Sequence, residues 1–405
     1  MSLREDAEAL APEITNFRHV MHQDPEIGLD LPRTQEKVLQ ALDGLGLEVT
    51  TGQGCTSVTA VLRGTGGDSS SDAPNPVVLL RGDMDALPLQ EKSGVDFASR
   101  NEGVMHACGH DLHTAMLVGA ARVLSNNRDR LAGDVVFMFQ PGEEGWDGAD
   151  VMIKEGVLEA AGRRVDVAYA LHVYSAGIPH GVFATKPGVF MSASDGLFVT
   201  VRGAGGHGSA PHNAKDPVQA VAEMVTALQV MVTRGFDMFD PMVITVGRLQ
   251  AGSQRNIIPE TASFEATVRT FSQESRQKLQ ELLPRVLNGI AASHGVEADI
   301  EYRSEYPATV NDVEETETAE KWIREVFGSE RALRITNPMS GSEDFSRVLA
   351  EVPGAYINLG AVAAGVDDQR AAFNHSPLAV FDDSVLADGT TLYAELATRR
   401  LAEFR

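Results

Sequence analysis

At 405 residues, with 43% hydrophobic and 22% charged residues, the chain is too long for one average domain and holds enough apolar material for a large core, which excludes a disordered chain. A net charge of −23 disfavours nucleic acid and anionic membrane as partners, because both reward basic surface, and neither is expected. Only two cysteines, Cys55 and Cys108, rule out a disulfide framework. With a charged N-terminal stretch and no long apolar run, the expectation is a cytoplasmic protein without a membrane segment.

Residues 5–47 read as helix, loop, helix. Ile14, Phe17, Val20 and Met21 fall at helical spacing in the first, and Val38, Leu39, Leu42 and Leu45 in the second, which Gly44 and Gly46 close. Ser57–Leu62 alternates as a strand, and Gly64–Pro76 is a flexible surface loop. Three nearly continuous apolar runs follow, Val77–Leu80, Val135–Phe139 and Val167–Leu171, as expected of parallel strands buried on both faces. Helical stretches at Thr114–Ser125 and Ala149–Glu159 separate them. This alternation predicts an α/β domain with a mostly parallel sheet and helices on both faces.

From Gly188 the order changes: strand Leu197–Val201, helix Pro217–Thr233, strands Met242–Leu249 and Ala262–Arg269, helix Gln273–Ser293, strand Glu297–Glu301. This is the β-α-β-β-α-β order of a ferredoxin-like module. It predicts an α+β domain at 188–303, inserted into a first domain made of 1–187 and 304–405. The α/β pattern resumes at Glu315–Val326 and Tyr356–Leu359, and Leu386–Glu403 closes the chain as an amphipathic helix.

The informative polar residues stand just after the apolar runs. Leu80 precedes Arg81-Gly-Asp83-Met-Asp85, Phe139 precedes Gln140-Pro-Gly-Glu143-Glu144, and Leu171 precedes His172. Ligands of open α/β sheets bind beyond the carboxyl ends of the strands, so these groups converge on one crevice. Cys108-Gly-His110 lies before a helix, and Asn374-His375 follows the late strand. Any one of these histidines alone reads as a satisfied core residue. Together, Cys108, His110, Glu144, His172 and His375 are the soft and borderline ligands of zinc, or of manganese, cobalt or nickel. Glu143 and Glu144 repel unless a cation separates them, which leaves one to ligate and the other to handle protons. The glycine-rich turn around His207 lacks the lysine of a phosphate loop. Arg255 and Asn256 suit a carboxylate, or a plain hairpin loop. No Gly-x-Ser-x-Gly elbow is present, which disfavours a serine hydrolase.

In these motifs, from His22 and Pro25-Glu26 through RGDMDALP, HACGHDLHTAM, FQPGEEG, ALHV, GGHGSAPH, QRNIIPETA, GSEDF and NHSP, the chain resembles the zinc-dependent aminoacylase and carboxypeptidase group. Within it, the branch of hippurate hydrolases, N-acyl-amino-acid amidohydrolases and indole-acetyl-amino-acid hydrolases is the most similar. The resemblance implies two divalent ions per chain bridged by Cys108, with His110 and His172 completing one site and Glu144 and His375 the other. It implies Glu143 as general base, Asp83 in the place of a group ligand, and Asp85 as a residue orienting ligands. It further implies an inserted lid and dimerisation domain, with His207 reaching a neighbouring active site of a homodimer. Asn256 would help position the substrate, a small N-acyl amino acid. A dipeptidase or carboxypeptidase, a deacetylase of N-acetylated intermediates, and a catalytically silent metal-binding protein are the alternatives.

Overall fold

Strands buried on both faces need no alternation, and the apolar runs form the middle of an eight-stranded sheet. The computed structural model describes residues 2–67 and 74–404, so residues 68–73 of the expected surface loop lie outside the described residues. The sheet contains β1 (Glu48–Thr51), β2 (Val58–Leu62), β3 (Val77–Asp83), β4 (Asp134–Gln140), β5 (Val167–Tyr174) and β6 (Phe183–Thr185), with Ala332–Arg334 and Gly354–Gly360. Across it the order is β1, β2, β4, β3, β5, Gly354–Gly360, β6, Ala332–Arg334. β3 runs parallel to β4 and β5, and β5 parallel to Gly354–Gly360. Antiparallel pairs occur toward the margins, at β1–β2, β2–β4 and β6 with Gly354–Gly360. Every residue of β3, β4 and β5 is buried.

Helices Leu3–Gln23, His110–Asn126 and Val385–Glu403 pack on one another, the last two also against β3 and β5. The first helix begins at a reciprocal cap: Glu5 N donates to Ser2 Oγ at 3.2 Å and Ser2 N to Glu5 Oε2 at 2.7 Å. The helix expected at Thr114–Ser125 starts earlier, at His110, because Gly109 at φ +90° supplies a left-handed entry. The stretch expected as one helix over Ala149–Glu159 is an α-helix at Gly148–Lys154 and a 3-10 turn at Val157–Glu159, broken at Gly156 with φ +86°.

A second compact unit comprises Met191–Thr309 together with Pro338–Glu343; the sequence reading leaves the latter segment in the other domain. Its sheet has the order Met242–Ala251, Thr261–Thr270, Ala193–Arg202, Glu297–Tyr306, antiparallel throughout. The first of these in the chain thus lies between the third and the fourth. Alternate residues of Thr261–Thr270, from Ala262 to Thr270, are buried. Phe264 and Val268 of that face join a core with Leu228 and Leu283, from helices Pro217–Gly235 and Gln273–His294. Mixed α/β and ferredoxin-like architectures therefore coexist in one chain.

Candidate metal centre

β3, β4 and β5 are parallel neighbours, so their carboxyl ends deliver Asp83, Gln140 and Tyr174 to one edge of the sheet. Cys108 and His110 arrive at the start of helix His110–Asn126, and His375 from the segment after Gly354–Gly360. Gly109 between the first two has no room for a side chain, since a Cβ would lie 2.4 Å from Val173 Cγ2.

Cys108 Sγ lies 3.4 Å from His172 Nε2 and 3.3 Å from His375 Nε2. Two donor sets share it: Cys108 with His110 and His172, and Cys108 with Glu144 and His375, the donor atoms of each within 4.8 Å of one another. Glu144 Oε1 is 3.0 Å from His375 Nε2, yet it is buried without an aligned hydrogen bond, as is His110 Nε2. Such orphaned atoms are costly unless a ligand completes them. Thiol, imidazoles and carboxylate fit a divalent cation of the zinc or first-row type. Glu143 Oε2 lies 4.0 Å from His110 Nε2.

The surrounding bonds fix which atom each ring presents. His172 Nδ1–H donates to Val173 O at 2.9 Å, which turns the Nε2 lone pair toward Cys108. His110 Nδ1 faces Asp85 Oδ1 at 3.3 Å, so its Nε2 points inward. Asp85 also accepts from the backbone N–H of Glu143 and of Glu144, each at 3.0 Å, and so sets both carboxylates. Asp83 accepts from His113 Nδ1–H at 2.6 Å and lies 3.7 Å from His110 Nε2, with Arg81 bonded to its other side. His113 Nε2 in turn accepts from Val173 N–H at 2.7 Å.

Burial opposes charge on His110, but Asp83 and Cys108 outweigh it and hold its pKa well above the usual imidazole range. Burial and the neighbouring His113 keep His172 well below that range, and so neutral. Burial and the Glu144 carboxylate push the Cys108 thiol up. Cys108 and Glu144 draw the His375 pKa up to about 10. Protons thus occupy Cys108, His110 and His375 until a cation displaces them, which couples metal uptake to proton release.

Among the remaining expected residues, His207, Arg255 and Asn256 belong to the second unit. Gly206–His207 pairs antiparallel with Ile257–Ile258, and Gly208 N–H donates to Asn256 O at 2.8 Å, which brings His207 and Asn256 together. All three side chains are exposed, and His207 Nδ1 lies 2.7 Å from Ser209 Oγ. The sequence reading gave no role to His113, although its spacing of three from His110 on one helix places both on one face. It also missed a buried group beside the centre, in which Asp111 Oδ2 binds Arg18 Nε at 2.6 Å and His22 Nδ1 at 2.8 Å. No local signal exposes that group, because its members lie far apart in the chain.

A thiol and three imidazoles gathered about orphaned donor atoms, with a second carboxylate alongside, are the parts of a metal-dependent hydrolase. Residues 79–399 match the peptidase family M20/M25/M40, and the chain belongs to that family. It is 36% identical over 403 residues to thermostable carboxypeptidase 2 of Saccharolobus solfataricus, covering 98% of each chain. It is 35% identical over 395 residues to hippurate hydrolase of Campylobacter jejuni, covering 97% of each. The crystal structure of the Bacillus subtilis protein YXEP, described as a dinuclear metal-binding peptidase of the M20 family, superposes with a TM-score of 0.81 at 30% identity, covering 98% of this chain and 99% of that one.

Proposed function

We propose that the protein is a dinuclear amidohydrolase that cleaves small N-acyl amino acids. The observation that carries this reading is the shared position of Cys108 Sγ, 3.4 Å from one imidazole and 3.3 Å from another that belongs to a different donor set. Cys108 would be the ligand common to two ions, with His110 and His172 holding one and Glu144 and His375 the other. Zinc and manganese suit this donor set first, with cobalt and nickel as alternatives. Divalent ions held there would supply Lewis acidity, lowering the pKa of water and polarising an amide carbonyl.

Glu143 takes the water proton as general base and returns it to the leaving amine. Asp85 holds Glu143 through its backbone, and Asp83 orients the adjoining imidazoles. His207, within a homodimer built through the ferredoxin-like unit, donates to the carbonyl oxygen in the neighbouring subunit's site. Asn256 and Arg255 hold the substrate carboxylate. Family membership and the relative named hippurate hydrolase support the substrate class. No helix among the described residues is long and apolar enough to cross a membrane, which agrees with a cytoplasmic enzyme of small molecules.

The test is chromatographic assay of hippurate, N-acetyl amino acids and dipeptides with protein loaded with zinc or manganese. N-acyl amino acids are cleaved, chelation abolishes cleavage, and Glu143→Gln loses about 10²–10⁴-fold in rate while keeping its ions. Undiminished turnover by Glu143→Gln removes it as the base. Cleavage of dipeptides alone moves the reading to a dipeptidase or carboxypeptidase, and bound ions without any hydrolysis to a silent metal-binding protein.

A further inference from the structure

Three chain segments that are remote in sequence must meet within a few tenths of an ångström if one sulfur is to serve two ions. These are the loop ending in Cys108, the end of β5 with His172 and Val173, and the turn with His375. Among the described residues the backbone gives one tie between them, from His375 N–H to Ala107 O at 2.9 Å. Ser175 Oγ adds a tie from the end of β5 to Ala372 O at 2.8 Å, and the Asn374 side chain spans all three segments. Asn374 Nδ2 donates to Cys108 O at 3.1 Å and to Val173 O at 2.9 Å, and Asn374 Oδ1 accepts from Ser175 N–H at 2.9 Å.

Both amide protons are therefore committed to carbonyls, and the oxygen to a backbone N–H. The partners leave no freedom of assignment, because a carbonyl only accepts and a backbone N–H only donates. Val173 O also receives the Nδ1–H of His172, so the carboxamide and the ligand ring share one acceptor. The next residue, His375, sits at φ +67°, a left-handed conformation that side chains other than glycine rarely adopt. Such a conformation persists only where neighbouring contacts hold it. Here those contacts include the Asn374 carboxamide and the His375–Ala107 backbone bond.

We infer that Asn374 is a positioning residue, whose carboxamide sets the spacing of the segments carrying Cys108, His172 and His375 and thereby the bridging geometry of the ion pair. This rests on the ligand assignment proposed above. It predicts that an amide is required at this position. Aspartate has the same shape but would turn carboxylate oxygen toward two carbonyl oxygens. A role in filling space would tolerate aspartate; a role in donating two hydrogen bonds would not.

The experiment compares wild type, Asn374→Ala and Asn374→Asp, each titrated with cobalt(II). Ion stoichiometry and affinity are read by equilibrium dialysis, and the thiolate-to-cobalt absorption in the near ultraviolet reports the Cys108 bond. Wild type binds two ions and shows the thiolate band. Both variants lose about 10–100-fold in affinity for at least one ion and their thiolate band weakens, with the aspartate variant no milder than the alanine one. A folded aspartate variant with wild-type affinity and band overturns the inference even if the alanine variant fails to fold, and leaves the ligand reading intact. A wild type without the thiolate band removes the ligand reading, and this inference with it.

Discussion

Replacement of Asp85 separates its role in holding the backbone from its role in holding the metal. The carboxylate accepts three donors: Glu143 N–H at 3.0 Å and His110 Nδ1 at 3.3 Å on Oδ1, and Glu144 N–H at 3.0 Å on Oδ2. Asparagine has one acceptor oxygen. It keeps the fully buried pair on that oxygen and turns its NH2 toward Glu144 N–H, which is only partly buried. The orphaned N–H then costs about 1 kcal/mol, the low end for such a group. Alanine orphans both backbone donors and releases the His110 ring, for about 2–6 kcal/mol, two such groups together. Urea unfolding of the metal-free proteins measures these losses, and competition with a chelating dye measures ion affinity, which drops about 10–100-fold in either variant. An alanine variant within about 0.5 kcal/mol of wild type, the range of an ordinary surface change, with unchanged affinity refutes the reasoning.

Two further predictions concern the buried group beside the centre. Arg18 and Asp111, 2% and 0% exposed, form an ion pair at 2.6 Å; Arg18→Met costs about 3–5 kcal/mol in denaturant unfolding, toward the lower value because His22 still contacts Asp111. A double-mutant cycle with Asp111→Asn gives a coupling above about 0.5 kcal/mol, and additivity within that margin contradicts a working pair. Burial disfavours charge on Glu91, but His22, Ser93 and Ser99 outweigh it and lower its pKa to about 2. That value lies below the unfolded reference of about 4.3, so the stability it contributes is present above about pH 4.3 and is lost as pH falls toward 2. The stability gap between wild type and Glu91→Gln, followed by unfolding from pH 5 to pH 2.5, narrows; a constant gap contradicts the assignment.

The parallel strands were legible because burial on both faces leaves an uninterrupted apolar run in the sequence, as at Val135–Phe139. Period-two alternation and helical spacing did the same for the ferredoxin-like unit. The short strands Glu48–Thr51, Phe183–Thr185 and Ala332–Arg334 escaped notice because three or four residues carry no period, and their place depends on the neighbour they pair with. The early start of helix His110–Asn126 was hidden because its first turn is polar. Its entry depends on the left-handed Gly109, and apolar spacing cannot report that. Candidate ligands were readable from residue type and from position after strands. The contacts that aim them were not, since Asn374 and Cys108 are 266 residues apart and Arg18 and Asp111 are 93.

The most direct test of a sulfur shared between two ions is anomalous X-ray diffraction from crystals grown with zinc, recorded on both sides of the absorption edge. The account predicts two peaks about 3.5–4 Å apart, each about 2.3 Å from Cys108 Sγ, with His110 and His172 on one and Glu144 and His375 on the other. A single peak, or two peaks of which only one reaches the sulfur, contradicts it.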